Sequence, residues 1–174
     1  MALLRPVGRV RVIIPLFLLA VVAVSGAACG SQTGPGSAAW REQAKTYIAK
    51  EASIAGRVQA QNKAVSDYRR DRTSATETQT ADFVSAPTRL QALHDELAAL
   101  TPPDELKSAH AHALGAIDLY VDSAKAAVWG GQGGSVGQAA VDEYTRLGQD
   151  ADREMQAGTA ALKAFTSKYG DRLK

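Results

Sequence analysis

The chain has 174 residues, 22% of them charged, with a single cysteine and a formal net charge of +2. Arg5, Arg9 and Arg11 supply three of its 20 basic residues and residues 1–28 hold no acid, so 17 Lys and Arg face 18 Asp and Glu beyond that point, a net of −1. That balance argues against a nucleic-acid partner, which draws a basic surplus, and a lone cysteine excludes an internal disulfide.

Residues 1–28 have the three parts of a secretory signal. The arginines give a positive start, "VIIPLFLLAVVAV" (12–24) is uninterrupted apolar sequence, and "SGAA" places small residues just before Cys29. A membrane-spanning helix needs about 20 apolar residues. This run is shorter, contains Pro15, and ends in Ser and Gly instead of basic flanks.

The segment resembles a bacterial lipoprotein signal. Ala27 and Ala28 match that family, and Gly26 stands where it usually has Leu. The resemblance implies that Cys29 becomes the first residue of the mature chain and carries the lipid. The protein would then be held on the extracytoplasmic face of the cell membrane. An ordinary signal peptide cleaved near "SGAA" would leave Cys29 as a free thiol.

Residues 29–37 follow as the lipidated cysteine and a Gly/Ser/Pro spacer, "GSQTGPGS" at 30–37, typical of a flexible tether. From there to Lys174 the composition is that of one helical domain, 38–174, with no period-2 stretch of a half-buried strand.

Helix one is expected over about Ser37–Arg72. Trp40, Ala44, Tyr47, Ile48, Ala55, Val58, Val65 and Tyr68 recur at three and four residues, and Glu51 and Asn62 interrupt the stripe, which predicts looser packing there. Arg69, Arg70 and Arg72 cluster in its last turn, where cations favour the negative end of the helix dipole. "TSATETQT" (73–80) is expected to be a polar turn. Helix two carries Phe83, Ala86, Leu90, Leu93, Leu97 and Leu100. Pro87 allows a start near Ser85 or an earlier start with a kink, and the earlier start is preferred.

"TPPDEL" (101–106) must end one helix and open the next. Thr101 is the expected cap and Pro102 the first helical residue, with Asp104 and Glu105 at the positive end. Helix three has the seam Leu106, His110, Ala113, Leu114, Ile117, Tyr120, Val121, Ala124 and Val128, and stops at "WGGQGG" (129–134). Ser135 and Gln138 make a capping-box pair. Helix four then carries Ala140, Tyr144, Leu147, Ala151, Met155, Gly158, Leu162, Phe165 and Tyr169.

Four amphipathic helices with short connections predict an all-α, up-down-up-down four-helix bundle. Laid antiparallel, they bring Trp40, Tyr47, Tyr144, Phe165 and Tyr169 toward the tethered end. The chain also resembles uncharacterised small helical lipoproteins of high-GC bacteria, in which a "PP.EL..AH" pattern opens a helix. Here it is Pro102, Pro103, Glu105, Leu106, Ala109 and His110. That resemblance carries no known activity.

Histidine is the residue type that invites a chemical reading. His110 and His112 lie two apart on a helix and do not face each other. His94 and His110 stand about eight residues either side of the "TPPDEL" turn, at one level of a hairpin. Two histidines at one level can begin a metal site, which in a bundle also needs carboxylates from facing helices. No Glu-x-x-His motif accompanies them, and no G-x-S-x-G, P-loop, G-x-G-x-x-G or H-E-x-x-H motif occurs. The reading is of a protein that is not an enzyme and needs no cofactor, held to the membrane through Cys29 and binding another envelope protein or a small ligand. The rival reading is an envelope metal-binding or metal-sensing protein using His94 and His110. The two turns far from the tether, bordered by Arg69, Arg70 and Arg72, are the expected partner-binding surface.

Overall fold

The computed structural model describes residues 34–131 and 138–174. These form α1 (Ala38–Arg70), α2 (Glu77–Ala98), α3 (Lys107–Gly131) and α4 (Gln138–Tyr169), with short 3-10 turns at Arg72–Ser74, Asp104–Leu106 and Gly170–Leu173. The architecture is an all-α four-helix bundle, with no strand among the described residues.

The starts of the helices follow from their caps. Ser37 is extended and its hydroxyl accepts from the Trp40 amide at 3.1 Å, which opens α1. Just before it, Gly36 takes a φ of +107°, a conformation that favours glycine. The Pro35 carbonyl accepts from Arg172 at 3.2 Å, so the end of the expected spacer lies against the last turn of the domain.

Two boundaries differ from expectation. The polar segment 73–80 is not all turn, because Thr76 and Gln79 form a reciprocal capping box and α2 begins at Glu77. The helix therefore starts well before Pro87, which sits inside it. At the other turn, Pro102 is not the first helical residue. It precedes Pro103, and a residue before proline is driven out of the α region. The chain stays irregular through Pro103, passes through Asp104–Leu106, and becomes α3 at Lys107. Ser135, the expected cap of α4, lies outside the described residues.

Antiparallel neighbours are fixed by cross-helix pairs. Arg57 of α1 meets Glu96 of α2 at 2.6 Å, and Tyr68 stacks on Phe83 with ring centres 4.2 Å apart. His94 of α2 reaches Asp118 of α3, and Tyr120 of α3 reaches Asp152 of α4. The core has three tiers. Ile54, Val58, Leu90, Leu97, Ile117 and Val121 fill the middle. Trp40, Ala44, Tyr47, Leu106, Ala109 and Phe165 close the end at which α1 starts. Val65, Phe83, Ala86, Ala127 and Val128 close the opposite end.

Four of the five expected aromatics gather at the end where α1 starts: Trp40 lies 5.8 Å from Phe165 and 5.5 Å from Tyr169, and Tyr47 packs beside them. Tyr144 does not. It sits near the start of α4, and an antiparallel α4 carries that start to the far end, against the Val65–Phe83 tier.

Candidate functional site

α3 packs along the length of α4 and also against α2, whereas among the described residues α1 and α4 share no comparable seam. They meet at the aromatic tier below, and again above, where Arg69 lies 3.8 Å over the Tyr144 ring and Ser66 shares a 3.3 Å hydrogen bond with the Tyr144 hydroxyl. Under that upper contact is a cleft of about 170 Å³ bordered by α1, α3 and α4. Asn62 and Ser66 line it from α1, Tyr120 and Ser123 from α3, and Tyr144 and Asp152 from α4.

The cleft exists because small or polar residues stand where apolar ones would fill the space. Asn62 is the break in the α1 stripe noted above. Ser123, only 4% exposed, is the one buried polar residue among those described. Its hydroxyl donates to the Tyr144 carbonyl at 3.1 Å. The Tyr120 hydroxyl donates to Asp152 at 2.5 Å, and burial first, then that carboxylate, holds the phenol above its ordinary pKa.

Gly148 completes the opening. The two glycines inside α4 differ in purpose. A Cβ at Gly158 would lie 3.3 Å from the His112 Cβ and 3.5 Å from the Ala109 carbonyl, so the close packing of α4 on α3 favours glycine there. A Cβ at Gly148 would meet only the Ser123 hydroxyl, at 3.8 Å. Packing does not require that glycine, and the side chain it lacks is part of the cleft.

Nearer the end where α1 starts, each histidine ties α3 to a different helix. His94 lies 3.2 Å from Asp95 and 3.3 Å from Asp118, joining α2 to α3. The Tyr47 hydroxyl lies 2.9 Å from His110 Nδ1, joining α1 to α3. His112 Nδ1 lies 2.7 Å from Glu154, joining α3 to α4. His94 and His110 thus engage separate partners. No group of three or more His, Cys, Asp or Glu side chains is arranged to hold a metal among the described residues.

Burial holds His110 below its ordinary pKa. A neutral ring accepting the Tyr47 proton at Nδ1 agrees with that direction. Glu51, one turn beyond Tyr47, has a buried Oε2 with no hydrogen-bond partner. Burial, the largest cause, raises its pKa. Tyr47 is itself held high, by burial first and then by the Glu51 charge.

The structure describes all three arginines of the expected basic surface. Arg69 covers Tyr144, Arg70 pairs with Asp67 at 2.6 Å, and Arg72 lies in the 3-10 turn that follows α1. Cys29 lies outside the described residues. Sequence reasoning missed Ser123, Gly148, Asp152 and Glu154. A usable signal was present, since Gly148 and Asp152 follow Tyr144 of the apolar stripe at intervals of four residues and mark a second face of α4.

No helix among the described residues is long and apolar enough to cross a membrane. No protein-family model, curated protein or solved structure matches the chain.

Proposed function

We propose that this chain is a lipid-anchored protein of the extracytoplasmic membrane face, whose helical bundle has a non-catalytic binding role in the cell envelope. The observation that carries the anchor is the sequence of residues 5–29: three arginines, an uninterrupted apolar run that includes Pro15, small residues, and then the only cysteine in the chain. The spacer after Cys29 leads directly into the Ser37 cap of α1. One acyl chain holds a protein only marginally, whereas two or more hold it firmly, at about 0.8 kcal/mol per buried methylene.

Two features support the binding role. One is the open side of the bundle between α1 and α4. The other is the far end, where Trp129 is 71% exposed in the last turn of α3. Tryptophan and arginine are the residue types most enriched at interface hot spots, and Arg69 and Arg70 close α1 at the same end. Another envelope protein is the partner proposed for that surface.

Membrane fractionation of the Cys29→Ser variant tests the anchor. The variant is expected to remain unprocessed or to be released from its normal membrane fraction. Processing and retention identical to the native protein would contradict the proposal.

A further inference from the structure

We infer that the cleft between α1, α3 and α4 is a binding site for a neutral, hydroxyl-rich ligand the size of one six-membered ring, a cyclic polyol or a single sugar unit. The inference deepens the non-catalytic binding role and is independent of the anchor, because it concerns the bundle alone.

Size is the first argument. An enclosed cavity of about 150 Å³ accommodates one benzene-sized ring; this cleft measures about 170 Å³ and is open to solvent on one side, so a six-membered ring can enter it with some substituents left outside. Its contents must be polar, because hydroxyls, an amide and a carboxylate line it, and each loses solvation unless a ligand or water bonds to it.

Hydrogen-bond bookkeeping sets the chemistry. The Ser123 and Tyr120 hydroxyls have committed their protons to the Tyr144 carbonyl and to Asp152, so toward the cleft they can only accept. Asp152 also accepts. Ser66 and Tyr144 share one hydrogen bond and keep one proton between them to donate. Asn62 offers both an acceptor and donors. A complementary occupant therefore presents several donors together with some acceptors around a compact frame, which is the pattern of ring hydroxyls. Val65 and Ala124 give it an apolar floor.

An ammonium ligand also donates, but the site disfavours it. The only carboxylate lining the cleft already holds the Tyr120 hydroxyl, and the Arg69 guanidinium, 3.8 Å over the Tyr144 ring, places a positive charge at the rim. A neutral polyol meets no such repulsion. Gly148 bears on the opening itself, since glycine inside a helix costs about 1 kcal/mol relative to alanine and packing does not require it here.

The test uses full-length protein extracted in a detergent without a sugar headgroup. Saturation-transfer NMR is run with glucose, N-acetylglucosamine and myo-inositol as probes, and with spermidine as the charged comparison. At least one of the three neutral rings is expected to bind in the millimolar range or tighter. Gly148→Leu, which fills the cleft, is expected to abolish the signal. Asn62→Ala, which removes a polar wall without filling space, is expected to weaken binding about three- to tenfold. Circular dichroism confirms the helices of each variant, and Asn62→Ala alone decides the matter if Gly148→Leu does not fold. Absence of binding by all three rings, unchanged affinity in Asn62→Ala, or preferential binding of spermidine would each overturn the inference. Failure here together with release of Cys29→Ser from membranes would leave the anchor standing and reject this ligand class.

Discussion

Glu51 and His110 oppose each other in their response to pH. Glu51 is a carboxyl held above its ordinary value of 4.5 by burial, so the folded protein binds its proton more tightly than the unfolded chain does. Its contribution to stability is therefore full below pH 4.5 and is lost as the pH rises through the folded-state value. Glu51→Gln keeps the shape and removes the charge. It is expected to raise the melting temperature at pH 7, with the gain vanishing toward pH 4, and a loss of stability at pH 7 would contradict this account. His110 has the reverse sign. Its folded-state value lies below 6.5, so its contribution is full above pH 6.5 and is lost as the pH falls. Tyr47→Phe strips the hydroxyl from the His110 ring and is expected to cost about 1–3 kcal/mol at pH 7, read from denaturant melts. The interruption of the helix-one stripe by Glu51 was legible in the sequence. Its unpartnered oxygen was not, because partner geometry depends on how α1 and α3 meet.

Helices were the most legible features of this chain, and their ends the least. The 3.6-residue spacing of Phe83, Leu90, Leu93 and Leu97 identified α2 correctly, and those residues are buried. Its start was obscured because "TSATETQT" is polar throughout, and only the Thr76–Gln79 reciprocity separates cap from turn. Thr76→Ala is expected to cost about 0.5–2 kcal/mol, as loss of an N-cap usually does, and an unchanged urea midpoint would show that the cap is unimportant. The two α4 glycines give a paired prediction. Gly148→Ala meets only ordinary contact and is expected to stabilise the protein by about 0.5–1 kcal/mol. Gly158→Ala crowds His112 and the Ala109 carbonyl, and is expected to gain less than Gly148→Ala or to lose stability. Equal gains at both positions would mean that α3 and α4 approach less closely than the structure has them.

At the scale of the whole bundle, the described helices have two distinct ends. The start of α1, the Pro102–Pro103 turn and the end of α4 share the tier containing Trp40, Leu106 and Phe165. The end of α1, the start of α2 and the end of α3 share the opposite one. With 33 residues in α1, the ends lie about 50 Å apart. This two-ended arrangement was readable from helix order alone, because short connections force antiparallel neighbours. The open α1–α4 side was not, since it depends on side chains from three helices, among them Ser123, Tyr144 and Asp152, that come together only in the folded chain. If the far end receives a partner, charge reversal at Arg69, Arg70 and Arg72 is expected to weaken its capture while helicity stays unchanged. Equal capture by that variant would reject the far end as the docking surface.

The central claim is that residues 1–28 are an address and that Cys29 is where the mature protein begins and is held. Intact-mass and peptide mass spectrometry of the protein extracted from membranes test it most directly. The account predicts a chain that starts at Cys29 and carries the mass of attached acyl chains on that residue. A mature chain that begins elsewhere, or that starts at Cys29 with a free thiol and no added mass, would contradict it.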